Sequence, residues 1–307
     1  MTSNLNESLN TMTGAAQTMT TWARVIDSYA DVPDIYKTSC QAVLEEREPF
    51  PYVVLVPSVK DNRLNEVENL LCEINGIFYV WERIGNKVVS SAFPLREIYT
   101  LEAGIVLLSS WFTISGLTTT GSATTARIGF NSSSVRHLLP VINKMRPAPA
   151  DIDDAAWQVE LAAFDYLASA NFKFMNYARE SMVRGEKILQ SILQPKIRRQ
   201  VFDLFGYKFH RTVGLAHLTI LTDKEIIFIR DDEDTTEVRG ERYGGVWQYI
   251  PLQKIQDVKL TASGNKLLTL TLTLESGIQQ LDKVFESSSQ DALEELQKKL
   301  KQMVGEA

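Results

Sequence analysis

Phe93-Pro94-Leu95-Arg96-Glu97-Ile98 is echoed by Ile250-Pro251-Leu252-Gln253-Lys254-Ile255, 157 positions later. A second pair, Phe130-Asn131-Ser132-Ser133-Ser134 and Phe285-Glu286-Ser287-Ser288-Ser289, follows in the same order at an offset of 155. Either match alone says little. Two in one order at nearly one spacing mark an internal duplication, the first thing to establish about any chain.

Upstream of the first string, each copy carries a hairpin pattern. Residues 70–74 and 77–81 flank Asn75-Gly76, a pair suited to the two positive-φ positions of a tight turn. In the second copy, residues 216–221 and 225–230 flank Thr222-Asp223-Lys224. Downstream, residues 268–274 alternate Leu with Thr, the period of a strand with one face in a core. Ser276-Gly277 then turns the chain back into residues 278–285. The matching region of the first copy is a strand over 105–115, a Thr/Gly loop at 117–125 and a strand over 126–130.

After each serine triplet the period becomes helical. Leu293, Leu296, Leu300 and Val304 share one stripe behind an N-cap at Ser288 or Ser289, and Val135, Leu138, Ile142 and Met145 share the other. Pro140 removes a donor inside the earlier helix and is expected to kink or break it.

A chain of 307 residues is long enough for two domains. Hydrophobic residues at 44% and charged residues at 23% exclude collagen-like, disulfide-scaffold and wholly disordered classes. The net charge of −6 gives no global attraction to phosphate backbones or anionic lipid, so any such binding must be local. Cys40 and Cys72 sit in no ligand or redox spacing, and a cytoplasmic setting is expected. Residues 1–21, rich in Ser, Thr and Asn with no apolar core, read as a mobile tail rather than a secretory signal. Residues 103–126 are free of charge for 24 positions but hold ten Ser or Thr and three Gly. That is too polar for a transmembrane segment, and two buried strands with a hairpin loop are expected instead.

Pro147 and Pro149 mark a boundary between the copies, and Asp151, Asp153 and Asp154 suit the start of a helix running to about Met182. Such a helix would span roughly 45 Å, and a shorter counterpart is expected at 20–30. The organisation is then a tail and short helix at 1–40, a first domain at 41–146, a helical linker at 147–178 and a second domain at 179–304.

The second copy resembles the bacterial pleckstrin-homology-like (PH-like) domain family. The resemblance is carried by Gly185-Glu186-Lys187-Ile188-Leu189, by Leu221-Thr222-Asp223-Lys224-Glu225-Ile226-Ile227 and by Tyr249-Ile250-Pro251-Leu252-Gln253-Lys254-Ile255. It covers about residues 179–303. The first copy, about 41–145, joins through the repeat, but lacks the Leu-Thr-Asp turn and carries Pro140. The resemblance implies an α+β chain of two partly open antiparallel β-barrels, each closed by a C-terminal helix and joined by a helical linker. It also implies binding of peptides, lipid headgroups or other subunits, often as oligomers. Fold does not by itself give function.

No phosphate-binding loop, dinucleotide fingerprint, zinc-protease motif or nucleophile elbow occurs, so no catalytic residue and no cofactor is assigned. His137, His210 and His217 read as structural, and no metal site is expected. Cys40 and Cys72 read as small buried hydrophobes. The acidic run Asp231-Asp232-Glu233-Asp234 lacks the alternate ligands and turn glycine of a calcium loop, and reads as a solvated hairpin loop. Gly244-Gly245 reads as a turn rather than a phosphate cradle. Trp157, Phe164, Tyr166, Phe172, Phe174 and Tyr177 read as interdomain core rather than a partner surface.

One charged feature stands out. Lys196, Arg198, Arg199, Lys208 and Arg211 meet only Asp203 in the same stretch, a local balance of +4. These five are the candidate ligand-binding residues. The aromatics among them, Phe202, Phe205, Tyr207 and Phe209, alternate as core residues would, which argues against nucleic acid.

The expected function is that of a non-enzymatic scaffold, binding a protein partner or itself as a homo-oligomer through sheet edges and helix grooves. The alternative is a peripheral binder of anionic membrane surfaces through the basic patch.

Overall fold

The computed structural model of the chain describes residues 22–58, 67–106, 108–204, 207–231, 244–264, 266–275 and 279–305, with backbone alone for 201–204 and 207–210. The fold is α+β, and its strands pair mostly antiparallel. The chain divides into two compact units, residues 1–98 with 105–145 and residues 99–104 with 146–307. The tail at 1–21 and Ser276-Gly277 lie outside the described residues.

In the first unit, β1 (Arg24–Ile26), β2 (Val53–Val56), β3 (Glu68–Ile74), β4 (Ile77–Ile84) and β5 (Lys87–Pro94) form a sheet in that order. Strand β2 is buried at every position, as a strand covered on both faces must be. One cover is helix α1 (Asp34–Leu44), whose Tyr36, Cys40 and Leu44 join Val53, Leu55, Leu70, Cys72 and Trp81 in one apolar cluster. A second aromatic set, Phe78, Phe112 and Phe130, packs with tilted rings at separations of 6.3 Å and involves the hairpin β7 (Ser109–Leu117) and β8 (Ala123–Asn131). Helix α2 (Val135–Asn143) follows and buries Leu138, Val141 and Ile142.

The second unit opens with helices α3 (Asp154–Leu161), α4 (Leu167–Ala170) and α5 (Phe172–Ser181). Its main sheet runs in the order β9 (Ile188–Gln194), β12 (His217–Thr222), β13 (Glu225–Arg230), β14 (Gly245–Pro251). Residues 99–104 of β6 (Ile98–Val106) lie beside β14. Every residue of β12 is buried, and α5 supplies one cover with Phe174, Met175 and Ala178. The Trp247 indole N–H donates to the Tyr177 carbonyl at 3.3 Å, and the two rings meet edge-on at 4.8 Å. Between β9 and β12 the chain makes a separate two-stranded ribbon, β10 (Ile197–Leu204) and β11 (Tyr207–Gly214). A three-stranded sheet of β15 (Ile255–Ala262), β16 (Leu267–Leu274) and β17 (Gln280–Glu286) precedes helix α6 (Gln290–Gly305). On β16 the four leucines at 268, 270, 272 and 274 are buried and the threonines between them half-buried. Leu293, Leu296 and Leu300 are the buried stripe of α6.

The two strings that revealed the repeat take the same local structure. Strand β5 ends at Pro94 and β14 at Pro251, each followed by a 3-10 turn and a new strand at Ile98 or Ile255. Proline has no ladder donor, so each strand ends there and the next amide bonds elsewhere. The Leu95 N–H donates to the Gly76 carbonyl at 2.8 Å, and the Leu252 N–H to that of Lys224 at 3.0 Å. The serine strings match likewise: Ser132 N–H donates to Leu108 at 2.9 Å and Ser287 N–H to Lys266 at 3.0 Å.

Several expectations need correction. The run 105–115 is not one strand, because β6 ends at Val106 and β7 starts at Ser109. An unbroken apolar run carries no mark of where a turn falls. The Thr/Gly loop shrinks to 118–122, closed by Gly121 N–H to Thr118 at 2.8 Å and Thr118 N–H to Ser122 at 3.0 Å. The long helix of 151–182 is broken. Asn171 turns extended at φ −163°, and its Oδ1 accepts from Phe174 N–H at 3.2 Å to start α5 afresh. The short helix expected at 20–30 gives way to β1, paired with β2, and a 3-10 turn at Tyr29–Asp31. Pro140 does not break α2, which continues to Asn143, though α2 spans 9 residues against 16 in α6.

Candidate functional site

The basic residues gather on and beside the β10–β11 ribbon. Lys196 precedes β10 and is half-buried, Arg199 is half-buried, and Arg198 and Arg211 are exposed. The Lys208 side chain, like those of His210, Phe202, Tyr207 and Phe209, lies outside the described residues. The register sets Arg199 opposite Arg211 and Arg198 opposite Thr212. Successive strand residues point to opposite faces, so Arg199 and Arg211 share one face while Arg198 sits on the other. Like charges directly across a ladder repel.

The other candidates are structural. His217 is buried, its Nδ1 lies 3.1 Å from the Leu215 carbonyl, and its ring meets Phe285 edge-on at 4.7 Å. Burial holds its pKa down at about 4. His137 sits on α2 in the other unit, where its carbonyl accepts from the Tyr52 hydroxyl at 3.0 Å. Burial pushes the Cys40 thiol up to about 11 and Cys72 higher still, so neither carries thiolate character. Among the described residues no group of three His, Cys, Asp or Glu could hold a metal ion. The acidic run at 232–234 lies outside the described residues, whereas Asp231 pairs with Lys173. Gly245 begins β14, and a Cβ there would meet the Tyr177 ring at 2.7 Å. Phe164 and Phe174 are core of the second unit, while Tyr166 and Phe172 are exposed. No helix among the described residues is long and apolar enough to cross a membrane.

A surface hollow of about 650 Å³ in the first unit is lined by Asn75, Gly76, Ile77, Pro94, Leu95, Arg96 and Thr119. Arg96 is its only ionisable side chain, so it holds no acid–base pair.

The feature that sequence reading missed is a buried ionic cluster in the second unit. Arg146 donates to Glu225 and, at 2.7 Å, to the Ser181 carbonyl, and its guanidinium lies 3.8 Å from the centre of the Tyr249 ring. Glu225 is 1% exposed and Glu186 3%. Glu186 Oε2 accepts from Val183 N–H at 3.1 Å, while Oε1 has no hydrogen-bond donor. Arg146 thus bonds Glu225 and reaches Glu186 only through its charge. Burial, and then the Glu225 charge, push Glu186 up to about 8. The residues come from positions 146, 186 and 225, and no local spacing links them. The only signal was the Gly185-Glu186 and Thr222-to-Glu225 strings, which look purely structural.

Around the cluster the same strings are tied by two hydrogen bonds between Lys187 and Asp223. Lys187 N–H donates to Asp223 Oδ1 at 2.9 Å, and Asp223 N–H to the Lys187 carbonyl at 3.1 Å. Compared with known proteins, the chain matches no protein-family model and no curated protein.

Proposed function

We propose that the chain is a non-enzymatic scaffold built from two PH-like units, acting by contact with a protein partner or with a second copy of itself. The supporting observation is the repeated frame: a strand ending at proline, a 3-10 turn, three strands, a second 3-10 turn and a helix follow in that order in both copies, tied by equivalent amide bonds. What recurs between the copies is anchoring geometry. Two buried thiols fit a reducing, cytoplasmic setting. Sedimentation over a wide concentration range tests self-assembly, which predicts species heavier than one chain. A single-chain mass throughout rejects that form and leaves a foreign protein partner.

A second reading rests on Arg199 facing Arg211 across the ribbon. An anionic membrane surface is attracted to this basic face, each nearby cation contributing about 1 kcal/mol. Flotation with anionic and neutral liposomes at two salt concentrations tests it. Salt-sensitive binding to the anionic vesicles alone, lost on Arg198→Glu with Arg199→Glu, supports this reading, and no binding in low salt rejects it.

A further inference from the structure

We propose that Glu186 and Glu225 hold one proton between them and, with Arg146, form a pH-dependent clasp that fastens residues 146–154 onto the second unit. The geometry is that of a shared proton. Two carboxyls are almost wholly buried within hydrogen-bonding reach of each other, one guanidinium pairs with Glu225, and Glu186 Oε1 is left without a donor. A carboxylate oxygen in that position is costly, whereas a carboxylic acid turns its own O–H toward the neighbouring carboxylate. With one proton on the pair, the cluster of Arg146, Glu225 and Glu186 is neutral. Without it, a net negative charge sits in the core.

The clasp has a mechanical consequence. Arg146 begins the segment, and the same segment is fastened further on by Ala150 N–H to the Arg184 carbonyl at 2.9 Å. Arg184 reaches forward in turn to the Ile152 carbonyl and to Asp154 at 2.5 Å. Gly185 leaves the room this needs, since a Cβ there would stand 2.5 Å from the Ala150 methyl. The backbone next to Glu186 thus packs directly against the strap.

Asp223 from the β12–β13 turn acts on Glu186 and is itself paired with Lys224 at 3.6 Å. Glu180 from α5 acts on Tyr249, which turns its ring face to Arg146. The Lys187 amide donates to Asp223. Arg146 is therefore the cation that bears on the pair, and the proton supplies the rest of the neutralisation.

The sign follows from linkage. The closed clasp keeps its proton up to about pH 8, while an opened, solvated Glu186 loses it near the ordinary value of 4.5. Opening then becomes easier by up to about tenfold per pH unit between those values and levels off above them. The clasp is tightest in acid and loosest in mildly alkaline solution.

Carboxyl-carbon NMR of the full chain tests the proton directly. One glutamate titrating near pH 8 is expected, absent in Glu186→Gln. A wild-type chain whose glutamates all titrate below pH 6 overturns the proposal and requires no variant to fold. Amide exchange at Ala150, corrected for its intrinsic pH dependence, tests the strap. Protection should fall steadily from about pH 5 to 8 in the wild type and stay level in Glu186→Gln. A wild-type profile as level as the variant's overturns the clasp. Neither outcome depends on whether the protein binds a partner or a membrane.

Discussion

The Leu252 amide donates to the Lys224 carbonyl across 3.0 Å, holding the turn after β14 against the turn between β12 and β13. The hairpin turn is itself built by Thr222. Its hydroxyl accepts from Lys224 N–H at 3.1 Å and Glu225 N–H at 3.0 Å, and donates to the Glu225 carbonyl at 3.0 Å. Every hydrogen-bonding capacity of a hydroxyl is used, at a residue with no exposed surface. Thr222→Val keeps the volume but leaves buried amides without an acceptor, which costs about 1–3 kcal/mol per group. Thr222→Ser should cost about 1 kcal/mol for the lost methyl. Denaturant unfolding of the two variants gives the comparison, and an equal loss in both would contradict this account.

Gly116 on β7 makes the closest approach in the first unit. A Cβ there would stand 2.2 Å from the Glu97 carbonyl oxygen and 2.9 Å from the Ile98 Cα. Both are backbone atoms, next to the Pro94-Leu95 turn, so neither can rotate away. Gly116→Ala should lower stability by about 3 kcal/mol or prevent folding. Gly76→Ala, where no atom lies within 4 Å but φ is +76°, should cost about 1 kcal/mol from strain alone. Thermal unfolding of both separates the close approach from the strain.

The second unit contains two buried groups whose pH dependences oppose. His217 is lowered from 6.5 to about 4 by burial, so its contribution is full above pH 6.5 and is lost as pH falls to 4. Glu186 is raised from 4.5 to about 8, so its contribution is full below 4.5 and is lost as pH rises to 8. Each slope is up to about 1.4 kcal/mol per unit, and between pH 4.5 and 6.5 they cancel. Wild-type stability should be nearly level there and fall from 6.5 to 8. Glu186→Gln should lose stability toward acid, and His217→Gln should gain it. Parallel slopes in the two variants would refute the assignment.

Arg146→Met leaves Glu225 and Glu186 buried without their cation. Breaking a buried pair from one side costs about 3–5 kcal/mol. The loss should be smallest at pH 5, where the second carboxyl can also take a proton. Unfolding at pH 5 and pH 8 measures the difference.

Pro140 sits in α2 without interrupting it, and the carbonyl it deprives belongs to Arg136, in the first turn. Pro140→Ala restores the donor and should raise stability by up to about 1 kcal/mol. A loss on substitution would show that the proline ring is wanted for packing.

Much of the secondary structure was legible because the determining physics is local. Asn75 and Gly76 take φ of 52° and 76° and set the β3–β4 hairpin. The Leu/Thr alternation of 268–274 becomes a strand with buried leucines. Pro94 and Pro251 end their strands for want of a donor. The five basic residues were equally visible as charge, but not their division between two ribbon faces, since that depends on the register of β10 against β11.

What the chain's own pattern determined is the repeat, its hairpins and its helix stripes, because turns, alternation and helical period act over a few residues. What tertiary structure alone decided is where covers and charges meet. The aromatic segment 151–182 broke at Asn171 so that α5 could lie on β12 and β13. Arg146, Glu186 and Glu225, separated by 40 and 39 positions, met in one dry cluster. A buried charge finds its partner through the packing of whole strands, and the energy of that choice is written in no neighbouring residue.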